Sequence, residues 1–187
     1  MRGSEWICLG GGPTAPAMLL RALRDYRDAT TITSNSGIKI ITPDYYYFID
    51  RVALEDFGKM AIEATFNHGT KVLTRDRDAL SARGIPVYED ISTQPWCHYS
   101  GHWCVQYALR SGAKTLALVG HEGFNPTPGT ALHWDGERPC PIWLGTETET
   151  HIAPWWRKMV VEWPDATFRF YGRLHFELSG QNVEIVT

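Results

Sequence analysis

The sequence has no run of lysine or arginine, no apolar stretch longer than a strand and no two cysteines spaced by two residues. Each absence removes a class of protein. A formal net charge of -3 without a basic run is not a surface built to neutralise successive phosphates, so nucleic acid is not an expected partner. Crossing a bilayer takes about 20 apolar residues, and the longest runs fall far short, so no membrane span is expected. The first residues also lack the charged-then-apolar order of a signal peptide, and a cytoplasmic protein is expected. Cys8, Cys97, Cys104 and Cys140 make neither a zinc knuckle nor a redox pair. If Cys97 and Cys104 share a helix they lie about 10 Å apart along its axis, too far for a disulfide, so reduced thiols are expected. Neither the G-x-G-x-x-G fingerprint nor the Lys-Ser/Thr of a P-loop is present.

What is present is a globular composition. At 187 residues, 43% hydrophobic and 21% charged, one hydrophobic core and a single domain over 1–187 are expected. Strand-like and helix-like stretches alternate. Glu5–Leu9 reads as a strand, Ala15–Tyr26 as a helix with Ala17, Leu19, Leu20 and Leu23 at helical spacing, Thr30–Thr33 and Tyr45–Ile49 as strands. Arg51–Phe66 reads as a helix with Asp50 as its N-cap, Lys71–Thr74 as a strand, Asp76–Arg83 as a helix and Ile85–Tyr88 as a strand. Trp96–Ser111 follows as a helix, then strand Thr115–Val119, helix His151–Trp163, strand Thr167–Tyr171 and an edge strand Val183–Val186. Parallel neighbours need a crossover, so this order predicts an α/β, Rossmann-like, mostly parallel sheet with helices on both faces. Residues 124–150, rich in Pro, Gly, Thr and Trp, show no period and read as a loop or lid insertion.

In such sheets ligands sit beyond the carboxyl ends of the strands. That rule selects Gly10–Thr14, Ser34–Gly37, Asp50 and Gly120–Gly123, all polar or glycine-rich. The sharpest of them is Gly10-Gly11-Gly12-Pro13-Thr14. Three residues without side chains let the backbone turn tightly and bring N–H groups against a phosphate, with the positive end of the next helix behind them. A tight turn without a ligand is the structural alternative.

The order of these motifs resembles a family, the bacterial sialyltransferases of the Campylobacter type, with related motility-associated glycosyltransferases and archaeal pterin diphosphokinases. The G-x-G-P-S/T loop is matched by Gly10–Thr14, an Asn-containing turn by Ser34-Asn35, and a Pro-Asp-Tyr entry to a strand by Pro43–Asp50. Ser100-Gly101, Gly112 and the strand end Gly120-His121-Glu122 complete the series. The resemblance implies a glycosyltransferase-like enzyme with a nucleotide-activated donor, CMP-type included, as substrate and no obligatory cofactor. It implies phosphate contacts from Gly10–Thr14 and Asn35, base or ribose contacts from Ser100 and Gly101, and ribose hydroxyl contacts from Glu122. Gly11 stands where the sialyltransferases carry Asn, and Glu122 where Asp is usual. A diphosphokinase acting on a pterin-like alcohol and a non-catalytic nucleotide-binding protein of the same fold are the alternatives.

A transferase of this kind needs a general base, commonly histidine. His151 matches the family's catalytic position ahead of the last helix, and His121, beside Glu122, is second. His98 and His102, four residues apart near Cys97 and Cys104, and His133 with Asp135 and Glu137, are weighed as metal ligands, and no metal is assigned. Among eight tryptophans, Trp134, Trp155 and Trp156 fall nearest the presumed mouth. Trp156, Met159, Val160 and Trp163 have the spacing of a packed helix face, and a Trp-rich C-terminal third suits a homo-oligomer interface.

Overall fold

The computed structural model describes residues 4–48, 51–94, 97, 99–123 and 147–187. Its centre is one open, wholly parallel sheet of eight strands in the order β5-β4-β3-β2-β1-β6-β7-β8. The strands are β1 (Glu5–Leu9), β2 (Thr30–Ser34), β3 (Tyr45–Phe48), β4 (Lys71–Thr74), β5 (Glu89–Asp90), β6 (Thr115–Val119), β7 (Thr167–Tyr171) and β8 (Val183–Val186). The helices are α1 (Ala15–Asp25), α2 (Arg51–His68), α3 (Arg77–Ser81), α4 (Ser100–Arg110) and α5 (Ala153–Glu162). The α/β Rossmann-like architecture expected from the alternation is the one observed.

Both faces of the sheet are apolar, as a parallel sheet requires. Successive side chains on each strand point to opposite faces. Trp6 and Cys8 of β1, Tyr45 and Tyr47 of β3, and Phe168 and Phe170 of β7 therefore join one cluster, shared with Trp103 and Leu109 of α4 and Trp156 and Val160 of α5. Ile7 and Leu9 face the other way and pack with Ala15, Leu19 and Ala22 of α1. Tyr46 and Phe48 meet Leu54, Phe57, Ala61 and Ala64 of α2. Most of the buried aromatics belong to the strands themselves, and of the helices α4 and α5 add Trp103, Tyr107 and Trp156, whereas α1 and α2 pack chiefly small and aliphatic side chains with Phe57.

Four expectations change. The segment 85–88 is not a strand: Pro86 has no N–H to give a ladder, Ile85 donates its N–H to Leu80 at 3.1 Å and is buried in the α2 cluster, and pairing to β4 begins at Glu89. The helix expected over 96–111 begins at Ser100, so Cys97 lies outside it. Cys97 Sγ instead donates to Gln106 Oε1 at 3.1 Å, and Cys8, Cys97 and Cys104 are buried free thiols. The last helix is preceded by a π-helical turn at Thr148–Ile152 that runs directly into α5, where Pro154 has no N–H to give to the preceding turn. The expected 124–150 insertion consequently gives way to helical backbone by Thr148, and its first part, 124–146, lies outside the described residues. Asp50, His98, His133, Trp134, Asp135, Glu137 and Cys140 lie outside them as well. No helix among the described residues is long and apolar enough to cross a membrane.

Candidate functional site

Chain order reverses between β1 and β6: everything from β2 to β5 is laid down on one side of β1, and β6 to β8 on the other. Connections that leave in opposite directions open a crevice at the carboxyl ends of those two strands. A cavity of ≈ 150 Å³ lies there. Its walls come from the turn after β1 (Gly10, Gly11, Gly12), the turn after β2 (Ser34, Asn35, Ser36), the start of α4 (Tyr99, Ser100, Gly101, His102) and the turn after β6 (Gly120, His121, Gly123), with Ile152 and Trp156 closing the far side.

The glycine turn is held from below by the protein itself. Gly10 donates to Val119 O at 2.7 Å and Gly12 to Gly120 O at 3.0 Å, which clamps the ends of β1 and β6 together. A Cβ on Gly10 would stand 2.5 Å from the Gly120 carbonyl oxygen, so no larger residue fits this approach. Glu122 is 3% exposed and turns under the turn: its Oε1 accepts from the Thr14 N–H at 3.2 Å and from the Thr14 hydroxyl, and a Cβ on Gly12 would collide with Oε2. The carboxyl group thus fills the N-terminal end of α1, where a helix favours an acidic group. Pro13, Thr14 and Glu122 do not line the cavity.

The opposite wall is less satisfied. Asn35 takes a left-handed backbone (φ 48°), which asparagine tolerates better than most residues, and Tyr46 Oη steadies it by donating to its carbonyl at 2.9 Å. Its Nδ2 donates to Ser100 Oγ at 3.1 Å, while its Oδ1 is buried with no partner among the described residues. His121 is 8% exposed, stands edge-on to Trp156 with centroids 5.6 Å apart, and has a buried Nε2 with no partner among the described residues. Burial lowers its pKa to about 4 against a hydrogen bond to the Cys8 backbone that pulls the other way, so the imidazole is neutral at pH 7. Gly101 makes room for it: a Cβ there would lie 2.7 Å from His121 Cε1. Buried polar atoms are usually paired, so these two on the cavity wall ask for a reason, as does Glu122 Oε2 behind Gly12, which is also buried without a partner among the described residues.

The site is roofed by the chain around α5. Tyr99 Oη donates to Glu147 Oε2, and the His102 ring lies flat on Trp155 at 3.9 Å with an interplanar angle of 2°. His151, by contrast, is exposed, with Nδ1 2.7 Å from Thr150 Oγ1, and does not line the cavity. The predicted residues Gly10, Gly11, Gly12, Ser34, Asn35, Ser100, Gly101 and His121 therefore meet in one place, and His151, Pro13, Thr14 and Glu122 do not join them. Ser36 falls within the selected Ser34–Gly37 turn and Trp156 is one of the tryptophans placed near the mouth, whereas Tyr99, His102 and Ile152 are walls that motif reading missed. The helical spacing of Trp156 signals only that it is packed. Among the described residues no three His, Cys, Asp or Glu side chains gather as a metal ion would need.

Fold and crevice together define an α/β protein of Rossmann-like architecture with a cavity at the topological switch point. No protein-family model matches the chain. No curated protein matches it. Among solved structures it is similar to the MAf glycosyltransferase from Magnetospirillum magneticum AMB-1, with a TM-score of 0.61 and 15% sequence identity over 98% of this chain and 33% of that one. The two share a fold, and this chain spans about a third of the other's length.

Proposed function

We propose that the protein is a glycosyltransferase-like enzyme that takes a nucleotide-activated sugar into the crevice between β1 and β6, with His121 accepting the proton of the incoming hydroxyl. The observation that carries this reading is the buried, unpartnered Nε2 of His121 on the cavity wall. A neutral imidazole in that position is in the form a general base must have before reaction. The motif series resembling sialyltransferases and motility-associated glycosyltransferases supports the reading, as does the fold likeness to a glycosyltransferase. His151, the other candidate base, is exposed and lies off the cavity wall, which favours His121.

Calorimetric titration with CMP-, UDP- and GDP-sugars tests the donor, and one of the three is expected to bind. Silence from all three at millimolar concentration removes the donor reading. With a binding donor in hand, His121→Gln should lower transfer by about 10²-fold or more, the usual contribution of a positioned base, and His151→Gln by less than about threefold. The reverse order would return the role of base to His151.

A further inference from the structure

We infer that the cavity is a pocket for an uncharged ring bearing hydroxyl groups, such as a sugar or ribose ring, and that it is closed to phosphate. The inference rests on the reading above for its context, and it goes further by saying which ring reaches His121: an acceptor sugar ring there presents the incoming hydroxyl to Nε2, as the proposed base requires, whereas a donor ribose ring there takes Nε2 and moves the role of base elsewhere.

Size comes first. A cavity of ≈ 150 Å³ holds one ring, well short of the several hundred Å³ that surround a drug-sized ligand. Charge comes second. Among the described residues, the lining includes no lysine, arginine, aspartate or glutamate. The one helix start that a glycine turn would offer to a phosphate already holds the acidic group of Glu122 at Thr14, and a second anion there would meet a like charge. Hydrogen bonding comes third. Asn35 Oδ1 can only accept, and His121 Nε2 accepts in one neutral tautomer and donates in the other. The diester phosphates of a nucleotide sugar carry no hydroxyl at neutral pH, so their oxygens only accept and leave Asn35 Oδ1 unpaired. A hydroxyl both donates and accepts, so a ring carrying two of them satisfies both atoms in either tautomer. The remaining wall, Trp156 and Ile152, is the apolar surface against which the C–H face of such a ring packs.

The test follows the imidazole of His121 by NMR, its Cε1–H signal assigned with His121→Gln. The full chain is titrated with cytidine and uridine, with methyl glycosides, with inorganic phosphate, and with CMP-, UDP- and GDP-sugars. A nucleoside or a methyl glycoside is expected to move the signal at millimolar concentration, and which of the two does so separates ribose from sugar as the ring. Phosphate is expected to leave it in place. Gly101→Ala should weaken ring binding about tenfold or more, because its Cβ presses on His121. Asn35→Asp, which keeps an accepting oxygen and tolerates the left-handed backbone, should retain binding within about threefold, so the result does not hang on the folding of one variant. Movement of the signal by phosphate, displacement of a bound ring by phosphate, or no response to any ring overturns the inference. Nucleotide sugars that bind without moving His121 overturn it and leave the donor reading intact. Rings that bind while nucleotide sugars do not sustain it and remove the donor reading.

Discussion

Two helices begin on the same crevice beside glycine, and their first turns are unlike. At α1 the protein itself holds the turn: Gly10 and Gly12 bond across to β6, and the Thr14 N–H and hydroxyl are both taken by Glu122 Oε1, while Glu122 Oε2 is buried behind Gly12 with no partner among the described residues. At α4 the first residues, Ser100 and Gly101, stand among unpaired polar atoms, Asn35 Oδ1 and His121 Nε2, with Tyr99 supplying no side-chain cap. A glycine-rich bend tells of close backbone approach. Only unfilled donors and acceptors tell of a ligand. The unpaired atom of the first wall, Glu122 Oε2, lies behind Gly12 and off the cavity, whereas Asn35 and His121 stand on it, so the first wall reads as architecture and the second as recognition.

This contrast can be broken by substitution. The largest effect is expected at the first wall from Gly10→Ala. Its Cβ meets backbone at 2.5 Å, which no side-chain movement relieves, and a loss of about 3 kcal/mol in urea denaturation is expected. A loss under about 1 kcal/mol would show that β1 and β6 can part without harm.

The second wall is sharpened by pH. Because the folded-state pKa of His121 is lowered to about 4 by burial, from an unperturbed value near 6.5, the unfolded chain binds the extra proton between those two values. Stability is therefore fully present above pH 6.5 and falls as pH drops toward 4. Denaturation at pH 7 and pH 4.5 should differ by about 2 kcal/mol from this group, and the difference should shrink by that amount in His121→Gln. His175, also lowered chiefly by burial, acts in the same direction and stays in the variant. An unchanged slope in His121→Gln would mean that the imidazole is hydrated rather than enclosed.

The smallest effect is expected from Thr14→Ala, which removes the hydroxyl from Glu122 and leaves the N–H contact. About 1 kcal/mol of stability should go, with no change in ligand affinity. A drop in affinity beyond about threefold would join the α1 start to the binding wall.

Much of the fold was legible because parallel strands buried on both faces are continuous apolar runs, and seven of the eight begin at the residue read from sequence: Glu5–Leu9, Lys71–Thr74, Thr115–Val119, Thr167–Tyr171 and Val183–Val186 match at both ends, and Thr30 and Tyr45 open β2 and β3 as read. The exceptions have local causes. Ile85 and Val87 alternate like a strand, yet Pro86 cannot join a ladder and Ile85 is drawn under α2. The start of α4 was placed too early because the aromatic and polar residues ahead of Ser100 share helical spacing with those behind it.

The site was legible in part for a similar reason. Strand ends are visible in one dimension, so Gly10 to Gly12, Asn35, Ser100, Gly101 and His121 could be selected before any of them was seen together. Direction of side chains is not visible that way. His151 and His121 both stand next to a structural boundary in the sequence, and only packing turns one inward against Trp156 and leaves the other in solvent.

What the chain's own pattern determined is the alternation of strand and helix, the glycine at the end of β1 and the lack of any lysine or arginine run or apolar run of membrane-crossing length. What only the tertiary structure decided is who occupies the crevice wall. Glu122 lies 108 residues from Thr14, and Ser100 lies 65 from Asn35, so each pairing depends on how far apart the folded strands set their ends. Hydrogen-bond satisfaction is a property of neighbours in space, and neighbours at such separations in the chain exist only once the sheet has formed.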